Sequence, residues 1–177
     1  KALRFEEDIV AHYTDVSFLR DKYKSFFTLF VKRIVPFRTD DTTALKDMMK
    51  NFVNDADIQN IYADVTNLYA DFTKEDEQII GAFSHYKYYF PEKIIPQSVT
   101  LVSGFNYGIV AVDSVLGIGL DMYLGDTSRY YPGLQFPGYK IRRMRREYIA
   151  ADAMHGWLQS EWEQDASQAD FLSALIY

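Results

Sequence analysis

Few side chains in this sequence could carry chemistry, and the carboxylates near the predicted sheet come first. Asp113, Asp121 and Asp126 fall on or beside strands predicted within residues 98–125. If these carboxylates converged, they could bind a hard cation or act as general acid and base. Turns explain Asp113 and Asp126 as well, because a short carboxylate bonds nearby backbone amides there. Asp121 lies inside an apolar strand, so a buried Asp121 needs a partner, for which Arg129 and the arginine run are candidates.

The histidines give no recognisable metal motif. His12, His85 and His155 are scattered along the chain, whereas a helical zinc site needs two imidazoles one turn apart. The nearest approach is Asp152, His155 and Gln159 on one predicted helix face, which is also typical of a hydrogen-bonded surface pair. The chain has no cysteine, which excludes disulfides and a thiol nucleophile. We therefore predict no catalytic set, metal or cofactor, and keep Asp121, Asp152 and His155 as a possible polar site.

The basic run from Lys140 to Arg146 reverses the local charge of a chain whose net charge is −6. The acidic balance argues against a nucleic-acid binder, because phosphate contacts need a basic face. The run is either a solvated helix face paired with nearby acids or a docking patch for an acidic partner. Tyrosine and arginine often anchor protein interfaces. A possible binding surface therefore comprises Arg129, Tyr130, Tyr131, Arg142, Arg143 and Arg146.

The elements that must position these residues begin with helices over residues 1–92. Apolar residues recur there at three- and four-residue steps. The pattern predicts helices over 15–35 and 44–53, a helix capped by Asn54 or Asp55, and a helix that begins at Thr73 and ends before Pro91. Thr73 with Asp76 forms a capping-box pattern.

Glycine-bearing strands follow within residues 98–125. Alternate residues from Leu116 to Leu124 are apolar, and Gly117 and Gly119 lie on the other face, where a helix or another backbone can approach closely. We expect a small, mainly antiparallel sheet, covered by an amphipathic helix over 140–148, a helix over 149–163 and another from Ser167. The expected core comprises Phe26, Phe30, Ile61, Phe83, Leu101, Ile109, Leu116, Ile118, Leu120 and Trp157.

The patterns together predict one mostly helical α+β domain over residues 1–177. Residues 1–92 form its helical half, and residues 98–177 form the sheet with its covering helices. The C-terminal run SALIY has no helix stop signal, so we expect the native protein to continue beyond Tyr177.

An ordered set of short motifs resembles the GldB-like gliding-motility lipoproteins. The set comprises SGFNYGI, DSVLGIGLDMYLG, RYYP, the arginine-rich run and Asp152-Ala-Met, which keep their order and close spacing. The resemblance implies a non-catalytic protein of the bacterial cell envelope, facing the periplasm or anchored at the outer membrane. It also implies a secretory signal and an acylated cysteine upstream, so that membrane contact is made only through that lipid anchor. The implied partners are other envelope proteins of a surface or motility machine.

Two alternatives remain open at the level of the sequence. A fainter likeness to zinc-peptidase-like domains, without their paired histidines, implies a zincin-like fold that lacks the metal motif. Such a departure implies a domain kept for binding or scaffolding. The first alternative is a zincin-like hydrolase, metal-dependent or not, that uses Asp121, His155 or Glu161 in one cleft. The second is a glycan- or peptide-binding module that uses a solvent-facing cluster of Tyr86, Tyr88, Tyr89, Tyr130 and Tyr131.

Overall fold

A computed structural model of the chain describes residues 1–162, and helices dominate this part. The α-helices are α1 (Phe5–His12), α2 (Val16–Leu29), α3 (Thr42–Asn54), α4 (Ala56–Leu68), α5 (Thr73–Tyr89), α6 (Gly138–Ile141) and α7 (Ile149–Trp162). The strands are β1 (Leu3–Arg4), β2 (Gln97–Leu101), β3 (Ile109–Val112) and β4 (Val115–Gly119). A π-helical turn at Phe30–Ile34 continues α2, and 3₁₀ turns cover Leu120–Tyr123, Tyr131–Leu134 and Arg146–Tyr148. The predicted α+β class is confirmed.

The sheet is mixed, in the order β1-β2-β4-β3. The expectation of a mainly antiparallel sheet is wrong, because β1 and β4 both pair in parallel with β2, and the β3–β4 hairpin alone is antiparallel. After the hairpin turn at Asp113, β4 returns between β2 and β3, which makes it parallel to β2. The sheet also extends beyond residues 98–125, because it includes the N-terminal strand β1. The sequence does not predict this strand, because two residues are too few to give a periodic signal.

The parallel strands bring their carboxyl ends to one edge of the sheet. Glu6 follows β1, Ser103 follows β2, and Asp121 follows β4. All three side chains are buried at this edge. Glu6 accepts a hydrogen bond from the Thr100 hydroxyl at 2.7 Å, and Asp121 accepts hydrogen bonds from Ser103. The topology therefore gathers polar residues that lie up to 115 positions apart in the sequence.

Two strand glycines allow the close approaches that the sequence predicts. A Cβ atom at Gly119 would lie 2.0 Å from the carbonyl oxygen of Tyr107. A Cβ atom at Gly117 would lie 2.9 Å from the ring of Phe26 on α2 and 2.6 Å from Val110. Strand β4 is therefore covered by a loop backbone at one glycine and by a helix side chain at the other.

Helix starts follow the sequence in most places. Asp15 caps α2 and Asp55 caps α4, since their carboxylates accept hydrogen bonds from the backbone N–H groups of Phe18 and Ile58. The capping box at Thr73 is wrong. Asp71 caps the Thr73 N–H at 2.9 Å, while the buried Asp76 accepts a hydrogen bond from the Ala2 N–H at 2.7 Å.

The amphipathic helix expected over 140–148 is also not formed. Helix α6 ends at Ile141, and Arg145 is extended and forms an isolated antiparallel bridge with Leu124. The Gly125 N–H donates to the Met144 carbonyl at 2.9 Å. Pairing with the segment after β4 therefore replaces the helical hydrogen bonds that the apolar spacing predicts.

The hydrophobic core spans both halves of the described chain. Every expected core residue is buried except Ile109, which is half-buried on the edge strand β3. Helix α7 packs on this strand, where a Cβ at Gly156 would lie 2.5 Å from Ile109. The helix predicted from Ser167 lies outside the described residues.

Replacement of Gly119 by alanine is expected to destabilise the fold. The added methyl meets the backbone oxygen of Tyr107, which cannot move without shifting the loop, so the free energy of unfolding should fall by about 3 kcal/mol. Urea denaturation measures this change. Gly81→Ala is the matched control, because nothing lies within 4 Å of its Cβ position in α5 and the helix should gain about 0.5–1 kcal/mol. Equal stabilities for the two variants would contradict this packing.

Candidate functional site

The Asp121 carboxylate is fully buried and accepts hydrogen bonds from the loop that follows β2. The Ser103 backbone N–H donates to both carboxylate oxygens at 3.1 Å, and the Phe105 N–H donates to Oδ2 at 2.6 Å. The Ser103 hydroxyl lies 3.0 Å from the same oxygen. The expectation that Arg129 or the arginine run pairs with Asp121 is wrong, because neutral donors of its own sheet edge satisfy this carboxylate.

The loop over residues 102–108 takes its shape from these bonds. The Ser103 hydroxyl oxygen accepts from the N–H groups of Asn106 and Tyr107 at 3.1 Å each. Gly104 and Phe105 both have left-handed backbone conformations, with φ of 68° and 62°. Phe105 is the costly one, since a residue with a Cβ rarely adopts this conformation. Successive N–H groups in such a turn point to one side, where an anion can accept them.

Asp121 is a titratable group that is fully buried. Burial raises the pKa of its carboxyl to about 6, and the hydrogen bonds from Phe105 and Ser103 oppose the rise. A displaced pKa in a cleft is a sign of a catalytic acid. Here, however, the loop covers the carboxylate completely, so its geometry is that of a structural acceptor.

A surface cleft of about 310 Å³ lies beside this loop, between the 3₁₀ turn after β4 and helix α7. Its lining residues are Gly108, Met122, Tyr123, Tyr139, Lys140, Arg143, Met144, Asp152 and His155. Asp152 accepts from the Arg143 guanidinium at 2.7 Å and from the Tyr123 hydroxyl at 3.2 Å. Of the site residues predicted from the sequence, Arg143, Asp152 and His155 line this cleft, and Asp121 does not.

The rim of this cleft is basic and aromatic. Tyr139 is 69% exposed, and Lys140, Arg142 and Arg143 are exposed beside it. Arg143 is paired with Asp152, whereas no ion pair joins Lys140 or Arg142 to an acidic residue within residues 1–162. We call Tyr139, Lys140, Arg142 and Arg143 the basic rim.

The other residues of the predicted binding surface have internal partners. Arg129 pairs with Asp64 of α4 at 3.0 Å, and the Tyr130 hydroxyl donates to the same carboxylate at 2.8 Å. Tyr131 is fully buried, which corrects its assignment to a surface, and its hydroxyl accepts from the Leu124 N–H at 2.8 Å. Arg129 and Tyr130 therefore attach the loop to α4, while Tyr131 supports the turn after β4.

Arg146 also has partners within the fold, on α5 and in the segment between α4 and α5. Its guanidinium donates to both oxygens of Glu75 at 2.8 Å, and to the backbone carbonyls of Leu68 and Asp71. Glu75 is only 2% exposed. Burial alone would raise the pKa of Glu75, but the hydrogen bonds and charge of Arg146 hold it below its usual range. Arg146 thus joins the start of α7 to the junction of α4 and α5.

The three residues proposed for hydrolysis lie in separate surroundings. Asp121 is enclosed by its loop, His155 is exposed on the cleft, and Glu161 pairs with Lys93 at 3.0 Å. Within the described part of the chain, no three histidine, aspartate or glutamate side chains come together as metal ligands. Over the same residues, no helix has the length and apolar character needed to cross a bilayer.

The five tyrosines proposed for glycan or peptide binding do not form one exposed cluster. Tyr86 and Tyr131 are buried in the core. Tyr88 and Tyr89 are 80% and 70% exposed at the end of α5, and Tyr130 is half-buried against Asp64.

Three features of this region have weak signals, or none, in the sequence. Glu75 reads as an ordinary first-turn acid of α5, and its pairing with Arg146 joins residues 71 positions apart. Tyr139 has one sign in the sequence, since the Pro137-Gly138 pair before it is a turn signal that favours exposure. Gly104 between Ser103 and Phe105 indicates a turn, but nothing in the local sequence identifies the distant Asp121 as its acceptor.

Loss of Arg146 is expected to cost far more stability than loss of Arg142. Arg146→Ala leaves the buried Glu75 carboxylate without its cation, which should lower the free energy of unfolding by about 3 kcal/mol. Arg142→Ala, at an exposed position in the same run, should change it by less than about 0.5 kcal/mol. Urea unfolding of both variants tests this, and two small effects would show that the pair is not structural.

The raised pKa of Asp121 predicts a dependence of stability on pH. The folded state holds this proton more tightly than the unfolded state, so the contribution is present below about pH 4 and is lost as pH rises through 6. The difference between the ordinary value and about 6 corresponds to a loss on the order of 3 kcal/mol. The unfolding free energy of the wild type minus that of Asp121→Asn, measured by urea between acidic and neutral pH, should fall accordingly. A difference that stays constant over this range would refute the assignment.

The comparisons with known proteins agree with the motif set. The family model described as gliding motility protein GldB matches residues 1–177, the whole of the chain. Neither the search of curated proteins nor that of solved structures gave a match. No finding supports the likeness to zinc peptidases. The family implies the cell envelope as the location and a gliding type of role. The chain belongs to the GldB family of gliding motility proteins.

Proposed function

We propose that this domain is a non-catalytic, protein-binding part of an envelope lipoprotein that serves a gliding or surface machine. Family membership supports the envelope and motility context. The observation that carries the binding mechanism is the basic rim, whose Tyr139 is 69% exposed next to three cationic side chains. A lipid anchor upstream of the chain, as the family resemblance implies, supplies the attachment to the membrane.

The charge of the rim selects the chemistry of the partner. Lys140 and Arg142 stand without an acidic partner among residues 1–162, in a chain whose net charge is −6. Such a local excess of positive charge speeds encounter with an acidic surface and disfavours basic ones. Tyr139 adds a rigid ring with a polar hydroxyl, the type of side chain that anchors interfaces. The partner is therefore an acidic segment of another envelope protein.

The internal use of the other polar groups supports a binding role over catalysis. Asp121 accepts hydrogen bonds from its own loop, Glu75 is paired with Arg146, and Asp152 is paired with Arg143 and accepts a hydrogen bond from the Tyr123 hydroxyl. A general acid or base needs a proton within reach of substrate. The exposed His155 has no carboxylate partner that would orient it within the described chain.

Site-specific photo-cross-linking in the native bacterium tests the proposal. A photoreactive phenylalanine analogue at Tyr139 of the full-length protein should form a discrete adduct with an acidic envelope protein. The Lys140→Glu/Arg142→Glu variant should lose the adduct while remaining at normal abundance by immunoblot. The matched control is Lys46→Glu/Lys50→Glu on α3, which makes the same change of charge at two exposed lysines. Adducts of equal yield from both variants would remove the basic rim from the mechanism.

A further inference from the structure

We propose that the acidic segment of the partner binds as an extended strand along the open edge of β3, with its acidic end at the basic rim. Strand β3 is the last strand of the sheet, and no other strand of the described chain pairs with its outer side. An exposed sheet edge of this kind accepts an extended peptide as an additional strand. The inference rests on the proposed function, since it describes how the same partner is held.

The hydrogen-bond register of the β3–β4 hairpin shows which backbone groups face the open edge. The Gly119 N–H donates to the Gly108 carbonyl at 2.7 Å, which makes these two residues a hydrogen-bonded pair. Hydrogen-bonded and non-hydrogen-bonded pairs alternate along an antiparallel ladder, so the backbone groups of Ile109 and Ala111 point away from β4. Within residues 1–162, no loop or side chain forms a hydrogen bond with these outward N–H and C=O groups.

This edge lacks most of the features by which sheets avoid pairing with another chain. Its residues, Ile109–Val112, are aliphatic and half-buried, and they include neither a charge nor a proline. The register with β4 is continuous, so no bulge twists the strand away. Helix α7 covers one face at Ile109, and Phe26 of α2 covers the other at Gly117, which leaves the edge between them open. The remaining protection is the shortness of the strand, so a partner needs a further contact.

The cleft lies at the N-terminal end of β3 and supplies that further contact. Gly108 directly precedes the strand and lines the cleft, as do Lys140 and Arg143 of the basic rim. At the other end of β3, the hairpin turn carries the exposed carboxylate of Asp113. Charge complementarity therefore favours a segment with acidic residues at the cleft end and uncharged aliphatic or β-branched residues along the rest of β3. The partner chemistry is thus an extended segment that is acidic at one end and apolar at the other.

Photo-cross-linking from the edge itself tests this binding mode. A small aliphatic amino acid that carries a diazirine replaces Val110 or Val112, one at a time, in the full-length protein in the native bacterium. The two side chains lie on one face of β3, so they should attach to partner residues that are separated by a single residue. The acidic residues of the partner should lie beyond the site attached to position 110. The same amino acid at Met48, which is 38% exposed on α3, is the control and should give no such adduct.

Removal of one outward N–H group gives a second test. Ala111→Pro deletes the donor that faces the open edge and leaves the hydrogen bonds between β3 and β4, so the yield of the Tyr139 adduct should fall about tenfold. Ala111→Val, which keeps the N–H and adds a side chain of similar size, should retain the yield. Immunoblots and thermal unfolding of the purified proteins verify that each variant is folded. If Ala111→Pro does not fold, the attachment sites of positions 110 and 112 decide alone.

Several outcomes would overturn the strand mode. They are attachment sites at helical spacing, an adduct with a second copy of the chain, no adduct at either edge position, and equal Tyr139 yields from folded Ala111→Pro and Ala111→Val. If the Tyr139 adduct forms and depends on the basic rim while the edge positions give none, the proposed function stands and this inference fails. Absence of the Tyr139 adduct, with alternating attachment sites at the edge, would instead refute the rim and retain the strand.

Discussion

The bond between the Asp121 carboxylate and the backbone N–H groups of Ser103 and Phe105 is the interaction on which this fold's polar edge depends. It joins the ends of two parallel strands, β2 and β4, and sets the path of the loop that connects β2 to β3. The same loop places the Tyr107 carbonyl over Gly119, and it ends at Gly108, which lines the cleft. Removal of the carboxylate would leave buried N–H groups without acceptors, which costs more than the bonds themselves contribute. The loop that borders the cleft is therefore positioned by a buried group that does not line the cleft.

This arrangement gives a physical meaning to two of the motifs on which the family resemblance rests. The segment SGFNYG contains the left-handed turn at Gly104 and Phe105. The segment LGIGLD contains Gly119, over which the Tyr107 carbonyl lies, and Asp121, which accepts the hydrogen bonds of the turn. Both motifs contain residue types often associated with catalysis, serine and aspartate. Their role in this structure is conformational, because the carboxylate of one segment accepts the backbone N–H groups of the other. A fold-specific motif of this kind identifies relatives without indicating an activity.

Local signals in the sequence predicted most helices and the core, and failed where distant residues decide the structure. Asp15 and Asp55 cap helices because the capping interaction spans three residues. The parallel pairing of β1 with β2 joins residues 96 positions apart, for which a two-residue strand gives no signal. The helix expected over 140–148 has suitable periodicity, but pairing of Arg145 with Leu124 outweighs it. The arginines illustrate the same limit, since Arg142 and Arg146 look alike in the sequence and differ in that Arg146 alone meets Glu75.

The short strand β1 has a mechanical consequence for a force applied at the N-terminal end of the described residues. Its register places Leu3 beside Val99 and Arg4 beside Thr100, and the Ala2 N–H bonds to the buried Asp76. Any tension transmitted from the N-terminal side therefore enters the domain through these few bonds at the margin of the sheet, before it reaches the core. Because β1 lies at the edge, it could detach under load while β2, β3 and β4 stay paired. The force at which the domain yields would then be set by this strand, and the stability of the core would govern only what happens afterwards.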